Sequence, residues 1–308
     1  MMKEKVIVIV GPTSVGKTKM GVELAKRLNG EIISGDSMQI YKTMDIGTAK
    51  VTEEEKEGIV HHCVNILEPI EEYSVKDFQD TVRAQIQDIT SRGKQPIIVG
   101  GTGLYIKAAL YDYEFNETQD NHDEFREKYK DYDNEQLFNH LLSIDPESAR
   151  ELHQNNRQRV LRAIEIYEQT GQKKSDILAS QQHICLYNAY FVGLTLDREV
   201  LYDRINKRVD IMKDRGLEKE VTDLYSQGLK RTHQSMKAIG YKEWFDYFEG
   251  LVDKDTVYEN IKKHSRQYAK RQYTWFKNQF DVHWFEVNLE CFDETVEKVF
   301  YEVTKKGI

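Results

Sequence analysis

One short segment near the amino terminus restricts the possible folds more than any other part of this sequence. It reads Gly-Pro-Thr-Ser-Val-Gly-Lys-Thr at positions 11–18 and matches the pattern G-x-x-x-x-G-K-[ST] of a phosphate-binding loop. The apolar run Val6–Val10 precedes it, and helical spacing follows it up to Leu28. In that context the glycines let backbone N–H groups turn toward an anion at the start of the helix. The segment therefore predicts a strand, a phosphate-binding turn and a helix.

The order of apolar runs along the chain indicates an α/β protein. Short runs bounded by turn residues, each predicted to be a buried strand, lie at Lys5–Val10, Glu31–Ser34, Cys63–Leu67, Pro96–Gly100, Ala189–Leu196 and Val282–Val287. Helical spacing separates the first four, most clearly after Ser74, an N-cap with Asp77 as the acid of a capping box. Because alternating strands and helices form parallel sheets, we expect a P-loop NTPase-like parallel sheet core flanked by helices.

The alternation of strands and helices is interrupted in the middle of the chain. The stretch Glu114–Glu135 has nine acidic residues against three basic ones and no strand-like run. The strand pattern resumes at Ala189. We therefore predict a helical insertion domain at 114–186, inside a core formed by 1–113 and 187–308.

The composition argues against several classes of protein. The chain has 308 residues, a formal net charge of −8 and 31% charged residues, which is typical of a hydrated globular protein of one or two domains. Neither a run of about 20 apolar residues nor a secretory signal is evident, so we expect a cytoplasmic protein without a membrane partner. The three cysteines, Cys63, Cys185 and Cys291, lie too far apart for a disulfide framework or a zinc module.

The phosphate-binding loop lacks the acidic partner that enzymes acting on NTPs usually have. Such enzymes use an acid at the end of an apolar strand to help hold Mg²⁺. Here the apolar strand Pro96–Val99 runs into Gly100-Gly101-Thr102-Gly103, without an acid. A diphosphate that is not a nucleotide is therefore a candidate ligand.

A second polar segment, Ser34-Gly35-Asp36-Ser37-Met38-Gln39, follows the second predicted strand. Residues just past the carboxyl ends of strands line the ligand crevice of an open α/β sheet. We therefore expect Asp36 and the Gly100–Gly103 turn to converge on the phosphate-binding loop. An aspartate at this position can bind Mg²⁺ or act as a general base, and a simple turn aspartate is the alternative.

Two basic segments contrast with the negative net charge. Residues 262–277 carry six formal positive charges, no acid and four aromatic side chains, and the helical stripe Lys262, Arg266 and Lys270 is suited to phosphates. Residues 155–162 contain three arginines and no acid. The first of these segments can instead be a solvated cationic helix with aromatic side chains in the core. Together with the phosphate-binding loop the two segments make a nucleic acid a candidate partner.

Taken together, these segments closely resemble the tRNA dimethylallyltransferases, also called tRNA isopentenyltransferases. The resemblance covers most of the chain. Beyond the motifs already quoted it includes Tyr41, Met44–Lys50, His61-His62, Tyr73-Ser74, Asn155–Ile164, Arg208, Met212, Gly216, Ile239–Glu243, Tyr268–Gln272 and Thr274–Phe276. The scattered cysteines match the compact bacterial form, which has no zinc finger.

The resemblance implies transfer of the dimethylallyl group of dimethylallyl diphosphate to N6 of the adenosine immediately 3′ of the anticodon. The implied cofactor is Mg²⁺ and the implied partner is the anticodon stem-loop of tRNA, bound by a protein that we expect to be monomeric. The missing acid is explained, because in this family the loop holds a prenyl diphosphate rather than ATP. An adenylate isopentenyltransferase, a P-loop small-molecule kinase and a non-catalytic RNA-binding module are the alternatives.

The resemblance also implies roles for individual residues. Asp36 would take a proton from the attacking amine, and Lys17 and Arg208 would offset the charge of the leaving diphosphate, with Thr18 as a Mg²⁺ ligand. The diphosphate would be held by Gly11, Pro12, Thr13, Ser14, Val15, Gly16, Lys17 and Thr18. The tRNA would contact Asp36, Ser37, Met38, Gln39, Thr102, Gln158, Arg159, Val160, Leu161, Arg162, Lys270 and Arg271, together with the segments Ile239–Glu243 and Tyr268–Phe276.

Overall fold

The structure of the protein, a computed structural model, describes residues 3–113, 115 and 122–307. It divides into a core unit, Met1–Tyr111 with Cys185–Ile308, and a helical unit, Asp112–Ile184. The sequence placed the limits of the insertion at 114 and 186, and Glu114 lies outside the described residues. Within the described residues, no helix has the length and apolar character that crossing a membrane requires.

A six-stranded parallel sheet forms the centre of the core unit. Its strands are β1 (Lys5–Val10), β2 (Gly30–Ser34), β3 (His61–His62), β4 (Gln95–Val99), β5 (Asn188–Thr195) and β6 (Val282–Glu286). They lie side by side in the order β3-β2-β4-β1-β5-β6, and each neighbouring pair is parallel. The predicted α/β class with a parallel sheet is confirmed.

Helices follow the strands in the core unit and make up the helical unit. The core contains α1 (Lys17–Leu28), α2 (Glu53–Lys56), α3 (Val75–Ser91) and α4 (Gly103–Leu110); the helical unit contains α5 (His122–Lys128), α6 (Asn134–Ile144), α7 (Pro146–Glu151), α8 (Arg157–Thr170) and α9 (Lys174–Ser180); the core continues with α10 (Arg198–Asp214), α11 (Leu217–Ser226), α12 (Trp244–Phe248), α13 (Lys254–Gln279) and α14 (Phe292–Lys305). At the start of α3 the predicted capping box is present, because Ser74 and Asp77 each accept the other's backbone N–H.

Two apolar clusters cover the two faces of the sheet. Successive side chains of β1 alternate between them: Val6, Val8 and Val10 belong to one cluster, and Ile7 and Ile9 to the other. All five are fully buried. A strand covered by helices on both faces is apolar throughout, which is why Val6–Val10 has no polar residue. This burial fixes the position of the loop that follows β1.

The third strand begins earlier than the sequence predicted, and the prediction of a strand at Cys63–Leu67 is wrong. The short β3 ends at His62. Cys63 and Asn65 have φ angles of 61° and 56°, a left-handed backbone that a strand does not contain. Leu67 instead forms an isolated parallel bridge with Tyr41. The run is therefore a connecting segment, in which Cys63 is buried and Ile66 is exposed.

The core unit is joined across the place where the helical unit is inserted. Tyr111, which follows α4, forms an antiparallel bridge with Cys185, which precedes β5. In addition, the Leu186 N–H donates to the Leu110 carbonyl at 2.8 Å. The two ends of the core at this point are therefore held by backbone hydrogen bonds.

Candidate active site

The phosphate-binding loop lies at the carboxyl end of β1 and is followed directly by α1. Gly11 and Gly16 have φ angles of 141° and 108°, which residues with a side chain rarely adopt. A Cβ atom on Gly11 would also collide with the Leu194 carbonyl oxygen. These glycines therefore permit the turn that brings backbone N–H groups and the start of α1 to one place.

Lys17 lies inside this loop. Its Nζ donates hydrogen bonds to the carbonyl oxygens of Gly11 at 3.0 Å and Pro12 at 2.8 Å. Burial lowers the pKa of Lys17 from 10.5 to about 7; the positive charge of Arg208 lowers it further, and the negative charge of Asp36 opposes the shift. The charge of the loop lysine therefore depends on pH close to neutrality.

We expect anion binding at this loop to weaken as the pH rises above about 7. An anion prefers charged Lys17, so above this pKa binding must return a proton to Nζ, and the affinity should fall by up to about tenfold per pH unit. Calorimetric titration with inorganic pyrophosphate at several pH values between about 6 and 9 would measure how the affinity depends on pH. Lys17→Arg is the reference, because arginine stays charged while pyrophosphate changes its own protonation equally in both proteins. Parallel pH profiles would show that Lys17 does not titrate.

Two side chains from later helices hold Thr13 of the loop. Arg208 of α10 donates from Nη1 to the Thr13 hydroxyl at 3.1 Å and from Nη2 to the Ala49 carbonyl at 3.3 Å. Gln272 of α13 accepts the Thr13 N–H at 2.8 Å and donates to the Gly101 carbonyl at 3.0 Å. Gln272 is buried, although it belongs to the segment Tyr268–Phe276 that was expected to contact tRNA. It connects the phosphate-binding loop to the glycine-rich turn after β4.

Asp36 lies just past the carboxyl end of β2, and its two carboxylate oxygens have different surroundings. Oδ1 accepts the N–H groups of Met38 at 2.8 Å and Gln39 at 3.4 Å. Oδ2 has no hydrogen-bond partner within the part of the chain that the structure describes. Oδ1 thus stabilises the turn, while Oδ2 can accept a hydrogen bond or a proton from a ligand.

The turns after β2 and β4 pack against each other. The Thr102 hydroxyl accepts the Ser37 N–H at 3.2 Å and donates to the Ser37 hydroxyl at 3.3 Å, and the Thr102 N–H donates to the Gly35 carbonyl at 3.2 Å. A Cβ on Gly100 would collide with the backbone of Gly35. The structure therefore brings together the two turns that the sequence placed at one crevice.

The phosphate-binding loop, the turn after β2 and the segment Gly47–Ala49 line a cleft of about 320 Å³ in the core unit. The turn after β4 packs against the turn after β2 and does not itself line this cleft. The lining of the cleft includes the polar residues Thr13, Ser14, Asp36 and Ser37, the cations Arg208, Lys237, Lys242 and Arg271, and the apolar residues Met38, Ile205, Val209, Met212, Ile239 and Ile261. The site therefore suits a ligand that combines an anionic group with an apolar one.

Four of the cations of α13 illustrate two kinds of surroundings. Lys262 forms an ion pair with Asp210 at 2.8 Å, and Arg266 donates to Asn206 at 2.5 Å, so both bind α10 rather than forming the predicted phosphate stripe. Lys270 and Arg271 are exposed. Lys270 and Arg271 are therefore accessible to a large ligand, as are the exposed Lys263 and Lys277.

The segment Ile239–Glu243, which the sequence analysis assigned to RNA, is mainly structural. Tyr241 is fully buried, and Glu243 is also buried. The Glu243 carboxylate accepts the Gly240 N–H at 2.9 Å and contacts His264 Nδ1 at 2.7 Å. Of the two charged residues in this segment, Lys242 lines the cleft and Glu243 does not.

The basic segment of the helical unit lies at the start of α8. Gln158 and Arg159 are exposed, and Arg162 forms an ion pair with Glu165 at 2.7 Å. Val160 is fully buried in the apolar core of this unit, and Leu161 packs against that core. The structure therefore contradicts Val160 as an RNA contact, because its side chain is not accessible.

The fold and the cleft define a protein of the phosphate-binding-loop class in which the anion site adjoins an apolar wall. A family model described as IPP transferase matches residues 39–279. The tRNA dimethylallyltransferase of Anoxybacillus flavithermus (strain DSM 21510 / WK1) is 51% identical over 306 residues, which cover 99% of this chain and 98% of that protein. The chain therefore belongs to the IPP transferase family, and the predicted resemblance is confirmed.

Two solved structures are similar over nearly the whole chain. The tRNA delta(2)-isopentenylpyrophosphate transferase of Staphylococcus epidermidis has 47% identity and a TM-score of 0.74, covering 99% of this chain and all of that one. A eukaryotic dimethylallyltransferase acting on tRNA has 32% identity and a TM-score of 0.84, covering 96% of this chain and 77% of that one. The chain is a transferase of this family, whose members typically need a divalent cation.

Proposed function

We propose that this chain transfers the dimethylallyl group of dimethylallyl diphosphate to N6 of the adenosine immediately 3′ of the anticodon in tRNA. The observation that carries the proposal is the composition of one cleft, which joins cationic and apolar groups to a carboxylate oxygen that has no hydrogen-bond partner among the described residues. The diphosphate of a prenyl diphosphate suits the cationic groups, and its prenyl chain suits the apolar groups. The carboxylate suits an amine that must lose a proton. The relatives named for tRNA support the acceptor.

In the proposed reaction, N6 forms a bond to the allylic carbon while the bond from that carbon to the diphosphate oxygen breaks. The amine proton goes to Asp36 Oδ2, and the diphosphate leaves with the bonding electrons. Lys17 and Arg208 stabilise the negative charge that develops on the leaving oxygens. The Thr13 N–H already donates to Gln272, so the amides of the loop from Ser14 onward are those available to the diphosphate.

The donor set of the site is compatible with Mg²⁺ held mainly by the substrate. Thr18 lies exposed in the first turn of α1, and its hydroxyl is a hard oxygen ligand. Among the residues that the structure describes, no group of three His, Cys, Asp or Glu side chains is arranged to hold a metal. Mg²⁺ commonly binds through few protein groups and several phosphate oxygens, and when bound it neutralises phosphate charge.

The acceptor adenosine must leave the stack of its anticodon loop to reach Asp36. The proposed contacts of the base are Ser37, Met38 and Gln39, which follow Asp36 in the same turn, and Thr102, which is hydrogen-bonded to Ser37. For the RNA backbone we propose Lys270 and Arg271 on the core, and Gln158, Arg159 and Arg162 with neighbouring Leu161 on the helical unit. Because one core unit contains the whole described cleft, a monomer suffices, and the cytoplasm supplies the tRNA.

The test is a transfer assay with Mg²⁺ and radiolabelled dimethylallyl diphosphate. Three acceptors are compared: unmodified tRNA, the same tRNA with guanosine at the position 3′ of the anticodon, and AMP. We expect label in the unmodified tRNA alone. Label in AMP would identify an adenylate isopentenyltransferase, and ATP binding with no label would favour a small-molecule kinase. RNA binding without transfer would indicate a non-catalytic module.

Neutralising the exposed cations of α13 should weaken tRNA binding and reduce its dependence on salt. Each phosphate contact contributes about 0.7–0.9 to the slope of log K against log salt, so the double variant Lys270→Gln/Arg271→Gln should lower the slope by about 1 to 2. Fluorescence anisotropy with labelled tRNA at several KCl concentrations measures this slope. The control is Lys305→Gln/Lys306→Gln, which removes two exposed cations at the end of α14. An unchanged slope would indicate that this part of α13 is a solvated cationic helix that does not contact tRNA.

A further inference from the structure

A carboxylate that is not among the predicted site residues binds consecutive backbone amides beside the cleft. Glu220 of α11 accepts the N–H groups of Asp45 at 2.9 Å and Ile46 at 2.8 Å through Oε2, and that of Gly47 at 3.0 Å through Oε1. Oε1 also accepts the Tyr241 hydroxyl at 2.6 Å. Hydrogen bonds to an ionised acceptor are stronger than neutral ones. Glu220 therefore holds the segment Asp45–Ala49 firmly.

Tyr241 completes this attachment. Burial raises the pKa of Tyr241 well above 10, so its hydroxyl keeps the proton that it donates to Glu220. Its ring lies so close to Gly47 that a Cβ there would collide with it. The buried tyrosine and the carboxylate thus fix Gly47 from two directions, which accounts for the burial of a motif that the sequence assigned to RNA.

The segment Asp45–Ala49 in turn positions side chains of the cleft. The Ala49 carbonyl accepts Arg208 Nη2 at 3.3 Å, and Gln39 Nε2 donates to the Thr48 and Ala49 carbonyls at 3.4 Å. Ala49 has a φ angle of 47°, which alanine rarely adopts and which its surroundings must maintain. A continuous set of contacts therefore runs from Glu220 through this segment to the guanidinium beside the phosphate-binding loop.

We propose that Glu220 is a positioning residue for prenyl transfer, which fixes the segment Asp45–Ala49 and thereby aims Arg208 at the diphosphate. This inference rests on the proposed function. Without the three amide contacts the Ala49 carbonyl would move, and the guanidinium would lose one of the two acceptors that orient it. A displacement of about 1 Å at such a site can lower the rate 10²-fold.

The test is Glu220→Gln, which keeps the shape of the side chain but turns one acceptor into a donor that faces N–H or O–H groups. We expect the KM for the prenyl diphosphate to rise and the affinity for pyrophosphate to fall, each about tenfold, with the KM for tRNA changed less than threefold. Glu218→Gln on the same helix is the control, because Glu218 is only partly buried and pairs with Lys254 at 2.5 Å. Thermal unfolding is recorded for both variants.

A double-mutant cycle separates positioning from a general loss of stability. If Glu220 acts through Arg208, Glu220→Gln should cost much less pyrophosphate affinity in an Arg208→Ala background than in the wild type. Full effects in both backgrounds, or a lowered melting temperature with unchanged pyrophosphate affinity, would overturn the proposal. Should Glu220→Gln not fold, Tyr241→Phe removes one of the same hydrogen bonds and enters the cycle in its place. Pyrophosphate binding tests whether Glu220 acts through Arg208 even if the wild type transfers no prenyl group. Absence of transfer by the wild type would contradict the proposed function instead.

Discussion

Replacing Asp36 with asparagine should lower the turnover of dimethylallyl transfer by about 10²-fold or more, the range for a general base, while tRNA affinity changes only a few-fold. Asparagine keeps an oxygen that accepts the N–H groups of Met38 and Gln39, so the turn after β2 survives. It removes the second carboxylate oxygen, which is the proposed acceptor of the amine proton. Because this amine is a weak nucleophile, the loss falls on the chemical step rather than on binding.

Single-turnover transfer of label to tRNA measures this effect, and anisotropy gives the tRNA affinity. A matched control is Asp197→Asn at the start of α10. Asp197 Oδ1 accepts the N–H groups of Glu199 at 2.8 Å and Val200 at 3.2 Å, the same local pattern as Asp36. A near-normal rate in Asp36→Asn would show that Asp36 only stabilises the turn after β2 and is not the general base.

Removal of the Arg208 side chain should lower kcat/KM for the prenyl diphosphate by about 10²- to 10³-fold, as for other fixed donors at a leaving group. Burial lowers the pKa of Arg208, and the charge of Asp36 opposes that shift. In such surroundings a diphosphate without its guanidinium partner keeps uncompensated charge. Arg208→Lys should restore only part of the rate, because an ammonium group lacks the planar fork that reaches both Thr13 and Ala49.

Steady-state kinetics with varied donor, and pyrophosphate binding in parallel, test the Arg208 prediction. Lys207→Ala is the neighbouring control, since Lys207 is exposed and pairs with Asp203 on the same helix at 2.7 Å. If the alanine variant at 208 lost tRNA affinity and kept its donor KM, the assignment of Arg208 to the diphosphate would be wrong.

Features determined by neighbouring residues were predictable from the sequence. Strand β1 and the loop after it follow from an apolar run that ends at a glycine, and α3 begins where Ser74 and Asp77 form a capping box. The convergence of Asp36 and the Gly100–Gly103 turn also follows from local information, because the carboxyl ends of parallel strands meet at one edge of a sheet.

Features that depend on distant partners were not predictable. Lys262 and Arg266 have the spacing of a phosphate stripe, yet their partners lie on α10, which the periodicity of α13 does not reveal. Gln272 and Glu220 are single polar residues on helices, and their roles become visible only when the loops that they hold are placed beside them. The prediction of a strand at Cys63–Leu67 was wrong because a run of apolar residues can also belong to a connecting segment.

The bridge between Tyr111 and Cys185 has an evolutionary consequence. The ends of the core are joined by backbone hydrogen bonds at this point, so the register of β5 on β1 does not depend on how much chain lies between them. We therefore expect changes in the length of that interval to leave β5, and with it the core sheet, in place. With the RNA contacts proposed for Gln158 and Arg159 in that interval, the choice of RNA can diverge among lineages while the chemistry stays the same.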